Sequence, residues 1–150
     1  MTDNERLAEL LFPNISWTPQ QYEEQYPARQ LPEGARVTRF SPSPTGYLHI
    51  GGLFAAMTAR LTAKATNGVF FLRIEDTDKK REVEGGVTAI VTGLAAFGIT
   101  PDEGITGLGT ESGVYGPYQQ SKRREIYQCF AKELVRQGLA YPCFCTEAEL

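Results

Sequence analysis

The stretch that most restricts the fold is a stiff polar crossing, SPSPTGYLHIGGL at residues 41–53, set between a strand pattern and a helix pattern. Before it, ARVTRFS at residues 35–41 alternates Val37 and Arg39 with Thr38 and Phe40, which predicts a strand. Pro42 and Pro44 have no amide to give to a sheet ladder, so the strand is expected to end there. After the crossing, LFAAMTARLTAKAT at residues 53–66 places Leu53, Met57 and Leu61 on one face of a helix, and Asn67-Gly68 is its stop signal. VFFLRIE at residues 69–75 is an almost continuous apolar run and predicts a strand buried on both faces. A strand, loop, helix and strand in this order predict two parallel strands joined by a right-handed crossover, and so an α/β fold.

The remainder divides around that unit. Residues 84–97 carry Val87, Ile90, Val91, Leu94 and Phe97 as the stripe of a second helix, ended by Gly98. Residues 100–120 are rich in glycine and poor in periodicity, which predicts a long loop. A third helix is expected from Ser121 as N-cap, with Ile126, Phe130 and Leu134 inward and Gly138 as its stop. LAYPCFC at residues 139–145 reads as a short strand. Residues 1–35 form a helical appendage, either a brace or a separate function. Leu7, Leu10 and Leu11 stand at helical spacing, and Thr18, Pro19 and Gln21 make a start signal. Pro27 and LPEG at residues 31–34 break the pattern. The expected organisation is 1–35 appendage, 36–120 main α/β body and 121–150 the start of a further segment. Thr146 and Glu149 form a capping box with only Leu150 after them. That is either a short terminal turn or a helix cut off inside a larger protein, and the second is expected.

Hydrophobic residues make up 41% and charged residues 22% of 150, a globular balance with enough chain for one core. The formal net charge of −3 argues against nucleic-acid binding by bulk charge alone. No apolar run approaches the roughly 18 residues of a membrane span, and MTDNERLAEL lacks the layout of a signal peptide, so a cytoplasmic location is expected. Cys129, Cys143 and Cys145 are too few and too clustered for a secreted disulfide framework.

In an open parallel sheet, ligands bind beyond the carboxyl ends of the strands, which is where residues 41–53 lie. A helix N-terminus there attracts phosphate, Gly51 and Gly52 permit close backbone approach, and His49 can donate to a phosphate oxygen. The prolines would fix the loop before a ligand arrives. Equally, a lone histidine is often structural and a proline-rich crossing is often a plain turn. Neither a Walker A sequence nor G-x-G-x-x-G follows the first strand.

RFSPSPTGYLHIGG, FFLRIEDTD and GPYQQSKR, in this order and spacing, resemble the N-terminal half of the catalytic domain of bacterial glutamyl-tRNA synthetases, which are class I aminoacyl-tRNA synthetases. HIGG matches the family's HIGH signature at three positions. Gly52 replaces the last histidine, as it often does in the glutamyl branch, so His49 would carry that contact alone. The resemblance covers about residues 36–146 and implies the first half of a Rossmann-like parallel sheet with flanking helices. Residues 121–150 would then begin the insertion that binds the tRNA acceptor end.

The resemblance implies ATP-dependent formation of glutamyl-adenylate and transfer of glutamate to tRNA, with magnesium accompanying the ATP. His49 would face the α-phosphate, and Gly51 with Gly52 would make room for the nucleotide. Arg39 would hold the substrate's side-chain carboxylate, which a guanidinium fork pairs two-pronged. Ser41 and Ser43 would line the amino-acid pocket, and Glu75 would take the α-amino group. Read without the resemblance, Arg39 and Glu75 are as readily a structural bridge. Asp76 and Asp78 are expected to cap their turn rather than bind metal. Lys79, Lys80 and Arg81 are expected to be a solvated run rather than an RNA contact. Ser43 and Glu75 favour the glutamyl over the glutaminyl branch.

Cys143 and Cys145 alternate, and some family members use such a pair as half of a zinc site. Four ligands are not available here, so zinc within this chain is not expected. The family's second signature, KMSKS-like, has no counterpart in the sequence, so the 150 residues alone are expected to be inactive. Two other readings are the shortened paralogue that glutamylates queuosine in a tRNA anticodon, and a non-catalytic module binding a nucleotide or amino acid. Oligomeric state is not legible.

Overall fold

The computed structural model describes residues 1–149 and groups them into two compact units, residues 28–123 and residues 1–27 with those from Arg124 onward. The larger unit is built on a four-stranded open sheet in the order β1-β2-β3-β4. Strands β1 (Val37–Phe40) and β2 (Val69–Leu72) are parallel, with Val37 opposite Val69 and Phe40 opposite Leu72. Helix α3 (Ile50–Ala65) lies between them in sequence, preceded by α1 (Asp3–Leu11) and α2 (Pro19–Gln25) in the other unit. The parallel strand–helix–strand unit that the sequence predicts is therefore present.

α3 packs against β1 and β2, but through smaller residues than its leucine stripe suggests. Ala56 and Ala63 are buried, Leu53 and Met57 only partly, and Leu61 is 53% exposed. Alanine lets the helix backbone approach the sheet, and the Thr38 hydroxyl reaches the Ala59 carbonyl at 2.8 Å. β2 likewise departs from the expectation of burial on both faces. Phe70 and Leu72 are sealed, while Val69 and Phe71 are half-buried. Helix α4 (Gly86–Ala96) adds Val87, Ile90 and Leu94 to the core, and Phe97 at its end is 61% exposed.

The expected long loop instead contains a hairpin. β3 (Glu103–Gly107) runs parallel to β2, and β4 (Thr110–Ser112) turns back antiparallel on β3. The sheet is thus mixed rather than purely parallel. These strands are short, β3 carries glycine at two of its five positions and β4 is polar and exposed throughout, so no apolar alternation marks them. Their ladder hydrogen bonds and the turn at Gly109 (φ +72°) define them instead.

The second unit contains α1, α2 and α5 (Arg124–Arg136). Capping boxes open α1 from Thr2 and α2 from Thr18, each cap stabilising by about 1 kcal/mol. α1 and α2 pack on α5, burying Ala8, Tyr22, Cys129 and Val135, with the Phe130 ring centre 6.4 Å from that of Tyr22. Phe130 and Leu134, expected inward, are 40% and 45% exposed because the buried arc is centred on Cys129 and Val135. Residues 139–145 form no strand, and Leu139, Tyr141 and Phe144 are exposed, since aromatic composition supplies no partner for a ladder. Of the expected Thr146–Glu149 capping box only the return half forms: the Glu149 carboxylate accepts the Thr146 amide and hydroxyl, each at 2.7 Å, while the Glu149 amide donates to the Thr146 carbonyl, and a single 3₁₀ turn follows at Glu147–Glu149. Leu150 lies outside the described residues.

Candidate active site

Because β1 and β2 are parallel, their carboxyl ends open on the same edge of the sheet. The ladder continues beyond both strands. The Arg73 amide donates to the Phe40 carbonyl and the Glu75 amide to the Pro42 carbonyl, each at 3.0 Å. Pro42, which cannot donate, still accepts, so the chain stays extended past the expected break.

This register brings Arg39 and Glu75 together. A guanidinium nitrogen of Arg39 stands 3.8 Å from a carboxylate oxygen of Glu75, with side chains 44% and 33% exposed. At that separation they attract without sharing a hydrogen bond, and each keeps capacity for another partner. Ser41, half-buried, and Ser43, exposed, follow Arg39 at two-residue spacing.

The crossing is held by its buried residues. Pro44 is fully buried, and its carbonyl accepts the Val83 amide at 2.9 Å. Leu48 packs on the core, where Gly52 and Gly93 leave it space: a Cβ there would come within 3.0 and 3.3 Å of its methyl groups. His49 is then the N-cap of α3, exposed and with no capping bond from its side chain. Its ring lies over Gly51, where a Cβ would be 3.0 Å from the imidazole carbon Cε1. The first-turn amides of α3 and this imidazole therefore share one open end of the helix, suited to an anion.

The EDTD segment differs from expectation at its first aspartate. Asp78 caps its turn, accepting the Arg81 amide at 3.2 Å and the Arg81 side chain at 2.6 Å. Asp76 is 1% exposed and holds distant partners instead. Its carboxylate accepts the Ser121 amide at 2.9 Å, the Ser121 hydroxyl at 2.6 Å, the Gln119 amide group at 2.8 Å and Lys79 at 3.0 Å. Burial pushes this acid up, but those donors outweigh it and bring it down to about 2. Ser121, expected to cap the third helix, is thus committed to Asp76, and a 3₁₀ turn at Gln120–Arg123 leads into α5. In the basic run, Lys79 is bound to Asp76 and Glu82, and Arg81 to Asp78.

GPYQQSKR carries a second network that periodicity did not reveal. Tyr118, 1% exposed, donates its hydroxyl to Glu103 at 2.6 Å, and Glu103 is paired two-pronged with Arg29. The Arg29 guanidinium lies 3.8 Å above the Tyr115 ring. Parity was the available signal for Asp76, since it follows the buried Phe70, Leu72 and Ile74 at two-residue steps. Nothing in the sequence pairs Arg29 with Glu103.

Cys143 and Cys145 are exposed thiols, and Cys129 is buried with its thiol 3.0 Å from the Trp17 carbonyl. Among the described residues, no three His, Cys, Asp or Glu side chains converge as a metal site, so no residue here is assigned to magnesium or zinc. No described helix is long and apolar enough to cross a membrane.

Residues 36–150 match the family described as tRNA synthetases class I (E and Q), catalytic domain. The glutamate–tRNA ligase of Clostridium perfringens (strain 13 / Type A) is 55% identical over 146 residues, 97% of this chain and 27% of that protein. That of Acetivibrio thermocellus is 53% identical over 149 residues, again 27% of its length. Among solved structures, the glutamate–tRNA synthetase of Elizabethkingia anophelis superposes with a TM-score of 0.68 at 44% identity, over 78% of this chain and 23% of that one. The chain thus spans about a quarter of the length of the relatives it matches.

Proposed function

We propose that this chain, which belongs to the class I tRNA synthetases (E and Q), supplies the glutamate pocket and part of the ATP site of a glutamate–tRNA ligase. The observation that carries the reading is the Arg39–Glu75 pair, opposite charges held 3.8 Å apart at the open end of two parallel strands. An amino acid with a carboxylate side chain presents the complementary pair. Arg39 takes the side-chain carboxylate, Glu75 the α-ammonium, and Ser41 and Ser43 line the space between. The α-carboxylate then attacks the α-phosphorus of ATP. A carboxylate–phosphorus bond forms, the bond to the β-phosphate oxygen breaks, and pyrophosphate leaves. His49 and the first turn of α3, at Gly51 and Gly52, stabilise the charge on the α-phosphate. Magnesium enters with ATP as part of the substrate. The terminal ribose hydroxyl of a glutamate tRNA next attacks the activated carbonyl and releases AMP.

A pocket built around a guanidinium rejects the neutral amide of glutamine, which would leave Arg39 without its ion pair. The test joins residues 1–150 to the remaining length of the Clostridium perfringens relative and measures tRNA charging. Charging with glutamate over glutamine is expected, with loss of glutamate affinity in Arg39→Gln. A cooperatively folded chimera that charges neither amino acid, or prefers glutamine, overturns the reading. The 150 residues alone are expected to give no charging, and measurable turnover by them overturns that part. Clean micromolar ATP or glutamate binding by the chain alone favours a non-catalytic binding module.

A further inference from the structure

We propose that Asp76 is a positioning residue that holds Glu75 at its place beside Arg39; this rests on the reading of Glu75 as the partner of the substrate ammonium. Asp76 is the one charged residue that is buried among the described residues. Sealing a carboxylate from water costs several kcal/mol unless its oxygens are fully engaged. Here they are, and three of the four donors come from Gln119 and Ser121.

Those partners matter because of what lies between. Ile74 forms a parallel bridge with Gln119, its amide donating to the Tyr118 carbonyl at 3.0 Å and its carbonyl accepting the Gln120 amide at 2.9 Å. Residues 74 and 76 are therefore both anchored to residues 118–121 on one side. Glu75, between them, gives its amide to Pro42 on the other. Among the described residues, the Glu75 side chain has only the long 3.8 Å contact to Arg39, so its position is set by its backbone. Asp76 is the anchor on the far side of Glu75. Without it, the residues after Ile74 lose their tie to 118–121, and the carboxylate that faces the substrate loses its register.

The first arm uses the 150-residue chain. In Asp76→Asn, amide exchange at Glu75 is expected to speed up about tenfold while Val69, at the start of β2, stays within about twofold. Equal acceleration at both sites would show a merely structural role and overturn the proposal, as would no change at Glu75. If Asp76→Asn fails to fold, Ser121→Ala and Gln119→Ala, which each remove part of the same clasp, are read in the same way. The second arm uses the chimera described above. Asp76→Asn is expected to raise KM for glutamate about tenfold and leave KM for ATP within about twofold. Ile105→Val, a core truncation away from the clasp, is the control that lowers stability without moving KM. A fall in melting temperature with both KM values unchanged overturns the proposal. If the unsubstituted chimera charges no glutamate, the functional reading has failed, and the exchange arm still decides whether Asp76 positions Glu75.

Discussion

Gly86 backs onto Pro44 so closely that a Cβ at Gly86 would stand 2.9 Å from the Pro44 carbonyl oxygen and 3.2 Å from its Cβ. The same carbonyl accepts the Val83 amide, so the start of α4 grips the second proline of the crossing. Gly86→Ala is expected to destabilise by about 1–3 kcal/mol through overpacking, despite alanine's better helix propensity. Urea unfolding measures it. An unchanged midpoint would mean that the crossing moves freely and is not held by α4.

Gly68 is a harsher case. A Cβ there would lie 1.9 Å from the Arg36 carbonyl oxygen, the acceptor for the Val69 amide. Gly68→Ala must push β2 away from the chain entering β1, and a loss of about 3 kcal/mol or more is expected. Gly46, with nothing within 4 Å of its Cβ position, is the control, and Gly46→Ala should be tolerated. Thermal unfolding of the two variants compares them directly.

Asp76 gives the fold an acid-side dependence. Its folded value of about 2 lies below the ordinary 3.8, so its contribution is complete above that ordinary value and is lost as pH falls toward 2. The shift corresponds to about 2 kcal/mol. Stability measured against pH should therefore fall across this window, and Asp76→Asn should flatten that part of the curve while lowering its plateau.

Tyr118 gives the alkaline counterpart. Burial first, and then its bond to Glu103, push its hydroxyl from 10 up to about 12. The neutral form is favoured in the fold, so the stabilisation is complete below the ordinary value and is lost as pH rises toward 12. A phenolate titration by ultraviolet absorbance should show Tyr118 ionising late among the seven tyrosines. Tyr118→Phe should remove that late step and cost about 1–2 kcal/mol at neutral pH, because the Tyr115 amide and Glu103 lose a partner.

Much of this molecule is legible in local sequence. Alternation at residues 37–40, the apolar run at 69–72, the prolines between strand and helix and the Asn67-Gly68 stop are local signals, and β1, α3 and β2 follow from them. So does the meeting of Arg39 and Glu75. Once two strands are parallel, Arg39 near the carboxyl end of one and Glu75 just past the carboxyl end of the other open on the same edge, within reach of a long side chain. The capping box at Thr18 and the bond from the Thr146 amide to the Glu149 carboxylate are equally local, since donor and acceptor are three residues apart.

Tertiary structure alone decided the rest, because those choices depend on which distant surfaces meet. α3 buries Ala56 and Ala63 rather than Leu61, since close approach to the sheet favours the smaller side chain. β3 and β4 carry no periodic signal and exist through their ladder. Ser121 serves Asp76, 45 residues away, instead of starting a helix, and Arg29 finds Glu103 across 74 residues. A hydrogen bond between remote segments leaves no period in the chain. It is set only when burial makes an unpaired carboxylate more costly than the ordering needed to bring its donors to it.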